Sequence, residues 1–284
     1  MLELSEVATL DVSAASGLVA LADRLCLVAD DEVFLSVYRL DGVPLGRIPL
    51  FDDALPEDHA GRKRRKPDLE AVALMPDGQV LALGSGSTEA RRRGALVDPM
   101  RDSPARVIDL GPLYERLAAD VPELNIEGAA VGAEAVWLLQ RGNGASRFNA
   151  LIELDLARVV RTLDASASIG ADALGSVTPV TLGDLDGVPL SFTDAVARPG
   201  GGLIFSAAAE DTSDTYQDGA CAGSIIGVLV DGRVTQRVRV NPTLKLEGIA
   251  LAGDDRSGLM LWLVADPDDR EIRASLYRAT LPFR

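Results

Sequence analysis

One short pattern recurs from end to end of the chain: an oxygen-bearing side chain, a small residue, then a run of small or β-branched apolar residues. It reads Leu246-Glu247-Gly248-Ile249-Ala250-Leu251 near the C-terminus. Earlier copies are Leu69-Glu70-Ala71-Val72-Ala73-Leu74, Ile126-Glu127-Gly128-Ala129-Ala130-Val131 and Thr193-Asp194-Ala195-Val196-Ala197-Arg198, with a degenerate form at Ala15-Ser16-Gly17-Leu18-Val19-Ala20. The oxygen-bearing positions Ser16, Glu70, Glu127, Asp194 and Glu247 lie 54, 57, 67 and 53 residues apart. After each copy comes a turn and a second apolar run, such as Gln79-Val80-Leu81-Ala82-Leu83 or Ala135-Val136-Trp137-Leu138-Leu139, which opens into a polar loop. Self-similarity on this scale in strand-rich sequence is the signature of propeller blades.

The remaining apolar runs complete the units. In the first, residues 33–40 and 46–50 read as strands around the turn Asp41-Gly42. In the second, the strands are 71–75, 79–83, 94–98 and 105–110; Pro76-Asp77-Gly78 is a turn in which proline fixes φ and glycine accepts a positive φ. The third has 150–154 and 158–163 as its outer strands, and the fourth has 224–230 and 234–240. The fifth offers only 246–251, 259–264 and 275–281 before the chain stops, so its fourth strand is expected from residues 2–10. That pairing would close the ring and remove open sheet edges. The fold class expected is an all-β, single-domain β-propeller of five four-stranded blades, with a six-bladed ring as the alternative. Three connections exceed a turn, 51–66, 111–124 and 164–190, and the second reads as a helical turn or two.

In such a ring the start of strand one and the end of strand two emerge on one face. The starts bring Ser16, Asp68, Glu70, Glu127, Asp194 and Glu247 to the central mouth; the ends bring Asp30, Ser85, Ser87, Arg141, Asn143, Glu210, Asp211 and Asp266. Converging carboxylates raise one another's pKa, so either some are protonated or something positive sits among them. A divalent cation with oxygen ligands answers this. Calcium is the preferred ion, because the chain has one histidine, His59, and two cysteines, Cys26 and Cys221, too few for a zinc site.

The formal net charge of −15 excludes a general nucleic-acid binder. No apolar run reaches the ~18 residues of a membrane span, and the acidic start Met1-Leu2-Glu3-Leu4-Ser5-Glu6 is unlike a secretory leader. The expectation is a cytoplasmic protein without membrane or nucleic-acid partners. Against that acidity, Arg62-Lys63-Arg64-Arg65-Lys66 stands out. Folded over the mouth, it would put Lys66 beside Asp68 and Glu70 and bind a small anionic ligand, with Arg141 and Asn143 as further contacts. Gly84-Ser85-Gly86-Ser87-Thr88 with Arg91-Arg92-Arg93 could cradle an anion by amides, hydroxyls and guanidinium groups.

The Glu-Gly or Glu-Ala pair opening an inner strand, followed by a strand ending near Asp or Asn, resembles the calcium-dependent propellers of the regucalcin, gluconolactonase and diisopropylfluorophosphatase group. Asp68-Leu69-Glu70-Ala71 is also similar to a motif of phytase-like propellers. The resemblance implies metal ligation by Glu70, Glu127, Asp194 and Glu247. With the residues gathered at the mouth, the function expected is a metal-dependent hydrolase acting on a small ester, lactone or phosphoester, with Glu127 and Asp194 as catalytic carboxylates and Lys66, Asp68, Ser85, Ser87, Arg141, Asn143, Glu210, Asp211 and Asp266 around the substrate. That group's usual histidine near the metal has no counterpart here. A non-catalytic binding propeller with a structural cation is the alternative.

Overall fold

The structure, a computed structural model, describes residues 1–56, 58–211, 221–240 and 244–283. The first strand, β1 (Ser5–Thr9), stands apart from the blade that follows it. Blade 1 is β2 (Ala15–Leu21), β3 (Arg24–Ala29), β4 (Phe34–Arg39) and β5 (Pro44–Pro49). After the short helix α1 (His59–Arg65), blade 2 follows as β6 (Leu69–Leu74), β7 (Val80–Gly84), β8 (Arg93–Val97) and β9 (Arg106–Asp109). Helix α2 (Gly111–Leu117) leads to blade 3, made of β10 (Ile126–Val131), β11 (Ala135–Gln140), β12 (Ala150–Asp155) and, beyond helix α3 (Leu156–Ser166), β13 (Leu174–Pro179). Blade 4 is β14 (Asp184–Leu185), β15 (Val188–Ala197), β16 (Leu203–Glu210), β17 (Cys221–Val230) and β18 (Arg233–Arg239). Blade 5 is β19 (Lys245–Asp255), β20 (Gly258–Asp266) and β21 (Ser275–Pro282), completed by β1.

The ring closes as the sequence predicts: Ser5 pairs with Arg278 and Thr9 with Ser275, antiparallel. Two expectations need correction. Residues 158–163 are helix, not strand. Val159-Val160 suits a strand locally, but Leu156, Val159 and Leu163 are the buried positions, spaced as one helical face, and the Asp155 side chain caps the start by accepting from the Arg158 N–H at 2.8 Å. The fourth strand of blade 3 is therefore β13, inside the expected 164–190 connection, which also contributes β14 as a fifth, two-residue strand of blade 4.

The core is divided by the ring. Five clusters of buried side chains lie one at each blade–blade interface: Leu35 and Val80 between blades 1 and 2, Leu83 and Ile152 between 2 and 3, Leu139 and Phe205 between 3 and 4, Ile226 and Leu263 between 4 and 5, Leu27 and Trp262 between 5 and 1. Each fully buried leucine or isoleucine contributes roughly 2 kcal/mol of transfer free energy. No blade can bury its faces alone, so closing the ring is a condition of the fold. The inner strands β2, β6, β10, β15 and β19 contact one another around the axis, β19 meeting β2.

Candidate functional site at the mouth of the ring

A bulge aims the repeated acids at the axis. In β6, pairing with β7 passes from Leu69↔Gly84 to Ala71↔Leu83, skipping Glu70. Pairing skips Glu127 in β10 and Glu247 in β19 in the same way. A skipped residue leaves the ladder and its side chain is re-aimed. Two residues before the acids stand Asp68 and Asn125, just ahead of β6 and β10, and Lys245, the first residue of β19.

These residues line one polar cavity of about 110 Å3, with Ser16, Asp30, Lys63, Lys66, Arg91, Arg141, Asn143 and Asp266. That is room for a few waters or a small polar group. The charges are interlocked. Lys66 Nζ contacts Asp30 and, at 2.8 Å, Asp68. Asp68 also takes Arg91 at 2.7 Å and the Ser85 hydroxyl at 2.6 Å. Asp68 holds φ at 55°, a left-handed conformation that costs a non-glycine residue about 1 kcal/mol. Across the mouth, Arg141 donates to Glu127 at 2.8 Å, pairs with Glu210 and lies 3.8 Å from Glu247. Lys245 reaches Glu210 at 3.0 Å, Glu247 at 3.2 Å and Asp268 at 2.7 Å. Glu127 takes a further hydrogen bond from Asn125 Nδ2 at 2.6 Å.

The acids do not share this protection equally. Glu70 accepts no hydrogen bond from the described residues. Burial, then Glu127, Asp68 and Asp30, push its pKa well above the usual carboxylate range, with Lys66 pulling against them. Burial lifts Glu247 to about 8, with Lys245 and Arg141 opposing. It lifts Asp266 to about 7, opposed chiefly by Lys245. Glu127 and Asp30 are also raised by burial, each moderated by its cation, Arg141 and Lys66 respectively.

Asp194 has a different place. In blade 4 the residue skipped by the pairing is Thr193, and Asp194 itself pairs with Ser206. It is thus in register with Ala71, Gly128 and Gly248 of the other blades, one step further down the axis. The one-residue offset could not be read from the motif, because Thr193-Asp194-Ala195 aligns by type with Ile126-Glu127-Gly128. Those small residues leave the axis open, and a Cβ on Gly128 would come within 2.8 Å of Asp194 Cα. The carboxylate fills the space and accepts the N–H groups of Ala195 at 2.8 Å, Ile249 at 3.0 Å and Leu18 at 3.4 Å, with Ala129 a fourth partner. Burial drives its pKa well above the usual carboxylate range, and these amides pull against it without restoring it. Asp194 is fully buried and outside the cavity lining.

Of the other expected contacts, Lys66, Asp68, Glu70, Glu127, Arg141, Asn143, Glu247 and Asp266 converge on the cavity. Glu210 stands behind it on Arg141 and Lys245, and Asp211 is exposed at the end of β16. Ser85 and Ser87 are also behind the lining: Ser85 is fully buried on Asp68, and Ser87 bonds Ser85 at 2.9 Å and Arg91 at 2.8 Å. The anion cradled by this loop is therefore the chain's own Asp68. In the basic segment, Arg62 binds the Asp31 carbonyl, Lys63 reaches the cavity, and Arg64 and Arg65 are exposed. The side chain of His59 lies outside the described residues. Lys245 and Asn125 were missed; their signal was the position two residues before each repeated glutamate.

Calcium takes six to eight oxygens. Asp30, Asp68 and Glu70 offer oxygens within 4.8 Å of one another. Lys66 already bridges two of these acids, and Arg91 and Ser85 hold the second oxygen of Asp68. An ion there would stand against two fixed cations, so in this arrangement the residues do not fit a calcium centre. Lys66, Arg91, Arg141 and Lys245 provide the positive charge that the converging acids require.

The fold is similar to that of a glutaminyl cyclase from Myxococcus xanthus, with 12% identity, coverage of 99% of this chain and 96% of that one, and a TM-score of 0.53. It is also similar to the tail fiber of Staphylococcus aureus phage P68, with 10% identity, coverage of 98% and 53%, and a TM-score of 0.52. A luciferin-regenerating enzyme aligns at 14% identity over 94% of this chain and 78% of that one, with a TM-score of 0.46. At such identities the likeness is one of fold. No curated protein sequence matches the chain. A model of a family of unknown function (DUF6929) matches residues 11–281, and the chain belongs to that family.

Proposed function

We propose that the mouth is the catalytic pocket of a hydrolase for a small ester, lactone or phosphoester, working by carboxyl acid–base chemistry. The supporting observation is the unlike pair Glu70 and Glu127 in one cavity. Glu70 has no donor among the described residues and keeps its proton, while Glu127 is held by Arg141 and Asn125, which favour its charged form. Water gives a proton to Glu127 as its oxygen bonds to the acyl carbon or phosphorus. The bond to the leaving oxygen breaks, and that oxygen takes the proton of Glu70. The proton on Glu127 then returns to Glu70, whose largest charged neighbour it is. Lys66 and Arg141, both buried, stabilise the negative charge that develops on the substrate oxygen.

The pairing of every buried cation with a carboxylate favours a second reading, a binding propeller without turnover. A panel of small esters, lactones and phosphoesters separates the two. The hydrolase reading expects turnover that Glu70→Gln removes while the melting temperature holds. No turnover across the panel, or full activity in Glu70→Gln, would refute it.

A further inference from the structure

The charges of the mouth do not balance. Among the described residues six acidic side chains line the cavity, and Glu210 and Asp268 join them through their ion pairs, so that with Glu70 protonated seven acids stand against the five cations Lys63, Lys66, Arg91, Arg141 and Lys245. The shortfall is local. Arg141 serves the side of the ring formed by blades 3 and 4. On the side of blades 5 and 1, Glu247 gives Oε1 to Lys245 and Arg141, and no donor among the described residues reaches its Oε2. Glu247 is only 6% exposed, and it lines the cavity, so that oxygen has the cavity and not bulk water to turn to. Beside it, the one hydrogen bond that the Asp266 carboxylate accepts among the described residues is from the N–H of Asp268, at 2.9 Å.

Between these acids and blade 2, the ring changes chemistry. Blade 1 presents Ser16 where blades 2, 3 and 5 present glutamate, and Ser16 lines the same cavity, 6% exposed. A serine is shorter than a glutamate by three heavy atoms, so blade 1 leaves open a volume that its neighbours fill. Its hydroxyl can accept as well as donate. A vacant volume walled by a carboxylate oxygen without a donor, a second under-bonded carboxylate and a hydroxyl asks for a compact group with several N–H donors and a positive charge. A primary ammonium has three donors in that form. A carboxylate or phosphate in the same volume would face two acids.

From this geometry we infer that the substrate carries a protonated primary amine, bound over Ser16 by Glu247 and Asp266. The inference rests on the reading of the mouth as the substrate pocket, and gives that pocket two halves. Blades 5 and 1 hold the amine, and Glu70 and Glu127 of blades 2 and 3 stand at the bond to be cleaved. The ester, lactone or phosphoester would then be that of a small amino compound.

The test uses ligands with no bond to cleave, so that it can fail or succeed independently of turnover. n-Propylamine hydrochloride, n-propanol, sodium propionate and calcium chloride are titrated into the whole protein at constant ionic strength and pH ~9, above the values of Glu247 and Asp266 and below the ~10.4 of a primary alkylammonium, with binding read by calorimetry and ligand-observed NMR. The propylammonium ion should bind at least about tenfold more tightly than propanol, and propionate less tightly than propanol. Glu247→Gln should remove most of that preference, and so should Asp266→Asn, a half-buried position that serves if the first variant fails to fold. Equal binding of propylammonium and propanol, stronger binding of propionate, calcium binding with no propylammonium binding, or an unchanged preference in Asp266→Asn would each overturn the proposal.

Discussion

Replacing Asp194 by asparagine changes one atom in the middle of the ring and should weaken the whole fold. Its two oxygens accept the N–H groups of Ala195, Ile249 and Leu18, with Ala129 beside them, so one side chain ties β15 to β2, β10 and β19. Asparagine keeps one oxygen and puts an NH2 group in place of the other. With the remaining oxygen on Ala195, the NH2 faces the N–H groups of Ile249 and Leu18, donor against donor. Leaving a buried donor without an acceptor costs about 1–3 kcal/mol, so one or two orphaned amides, depending on which way the side chain turns, give a loss of roughly 1–6 kcal/mol out of the ~5–15 kcal/mol that holds a typical domain together. Rotating the side chain only exchanges which amides are orphaned. Equilibrium urea unfolding, followed by circular dichroism and by the fluorescence of Trp137 and Trp262, measures the change. The midpoint should fall substantially, and equally with calcium or with chelator present. A midpoint unchanged from the parent would refute the reading of Asp194 as the axial acceptor. A loss that appears only in calcium would restore it as a metal ligand.

Arg141→Met leaves Glu127, Glu210 and Glu247 without their shared cation and should cost about 3–5 kcal/mol near neutral pH. The loss should shrink at pH 5, where Glu127 and Glu247, both raised by burial, take up protons, and equal urea midpoint shifts at the two pH values would contradict this. Glu247 and Asp266 are raised in the fold from 4.5 to about 8 and from 3.8 to about 7, so the folded chain binds more protons than the unfolded one. Their contribution to stability is therefore full below the unfolded values and is lost as pH rises through the folded ones. A pH series of urea midpoints should decline across that window, less steeply in Glu247→Gln. Millimolar calcium should leave the melting temperature where a chelator leaves it, because Lys66 and Arg91 already hold the acids of blade 2. A rise that grows with calcium concentration would show that the ion displaces them.

The repeat pointed to a ring of five or six blades, because a blade's hydrophobic faces are buried by like neighbours, and the pairing of β1 with β21 closes it at five. Turns with a stated mechanism, such as Pro76-Asp77-Gly78, set the registers of blade 2. Where the local pattern served two structures, as at Val159-Val160, the choice fell to the capping side chain and to which residues met the core. The convergence of Glu70, Glu127 and Glu247 was likewise legible, since the same position on equivalent strands must arrive at the same height.

Their chemistry was not legible. The position of Asp194 depends on which residue the β15 pairing skips, a one-residue choice made by the strand beside it, and that choice separates a cavity acid from a buried acceptor of amides. The cations of the mouth come from four places in the chain, the end of α1, the loop after β7, the end of β11 and the start of β19; the sequence placed Lys66 and Arg141 at the mouth as contacts for a ligand, but nothing in those segments says that they, with Arg91 and Lys245, are spent on the mouth's own acids. Composition predicts that gathered acids need positive charge. Only the closed ring decides that lysine and arginine side chains supply it, because ion pairing at the axis depends on distances between blades that no single blade contains.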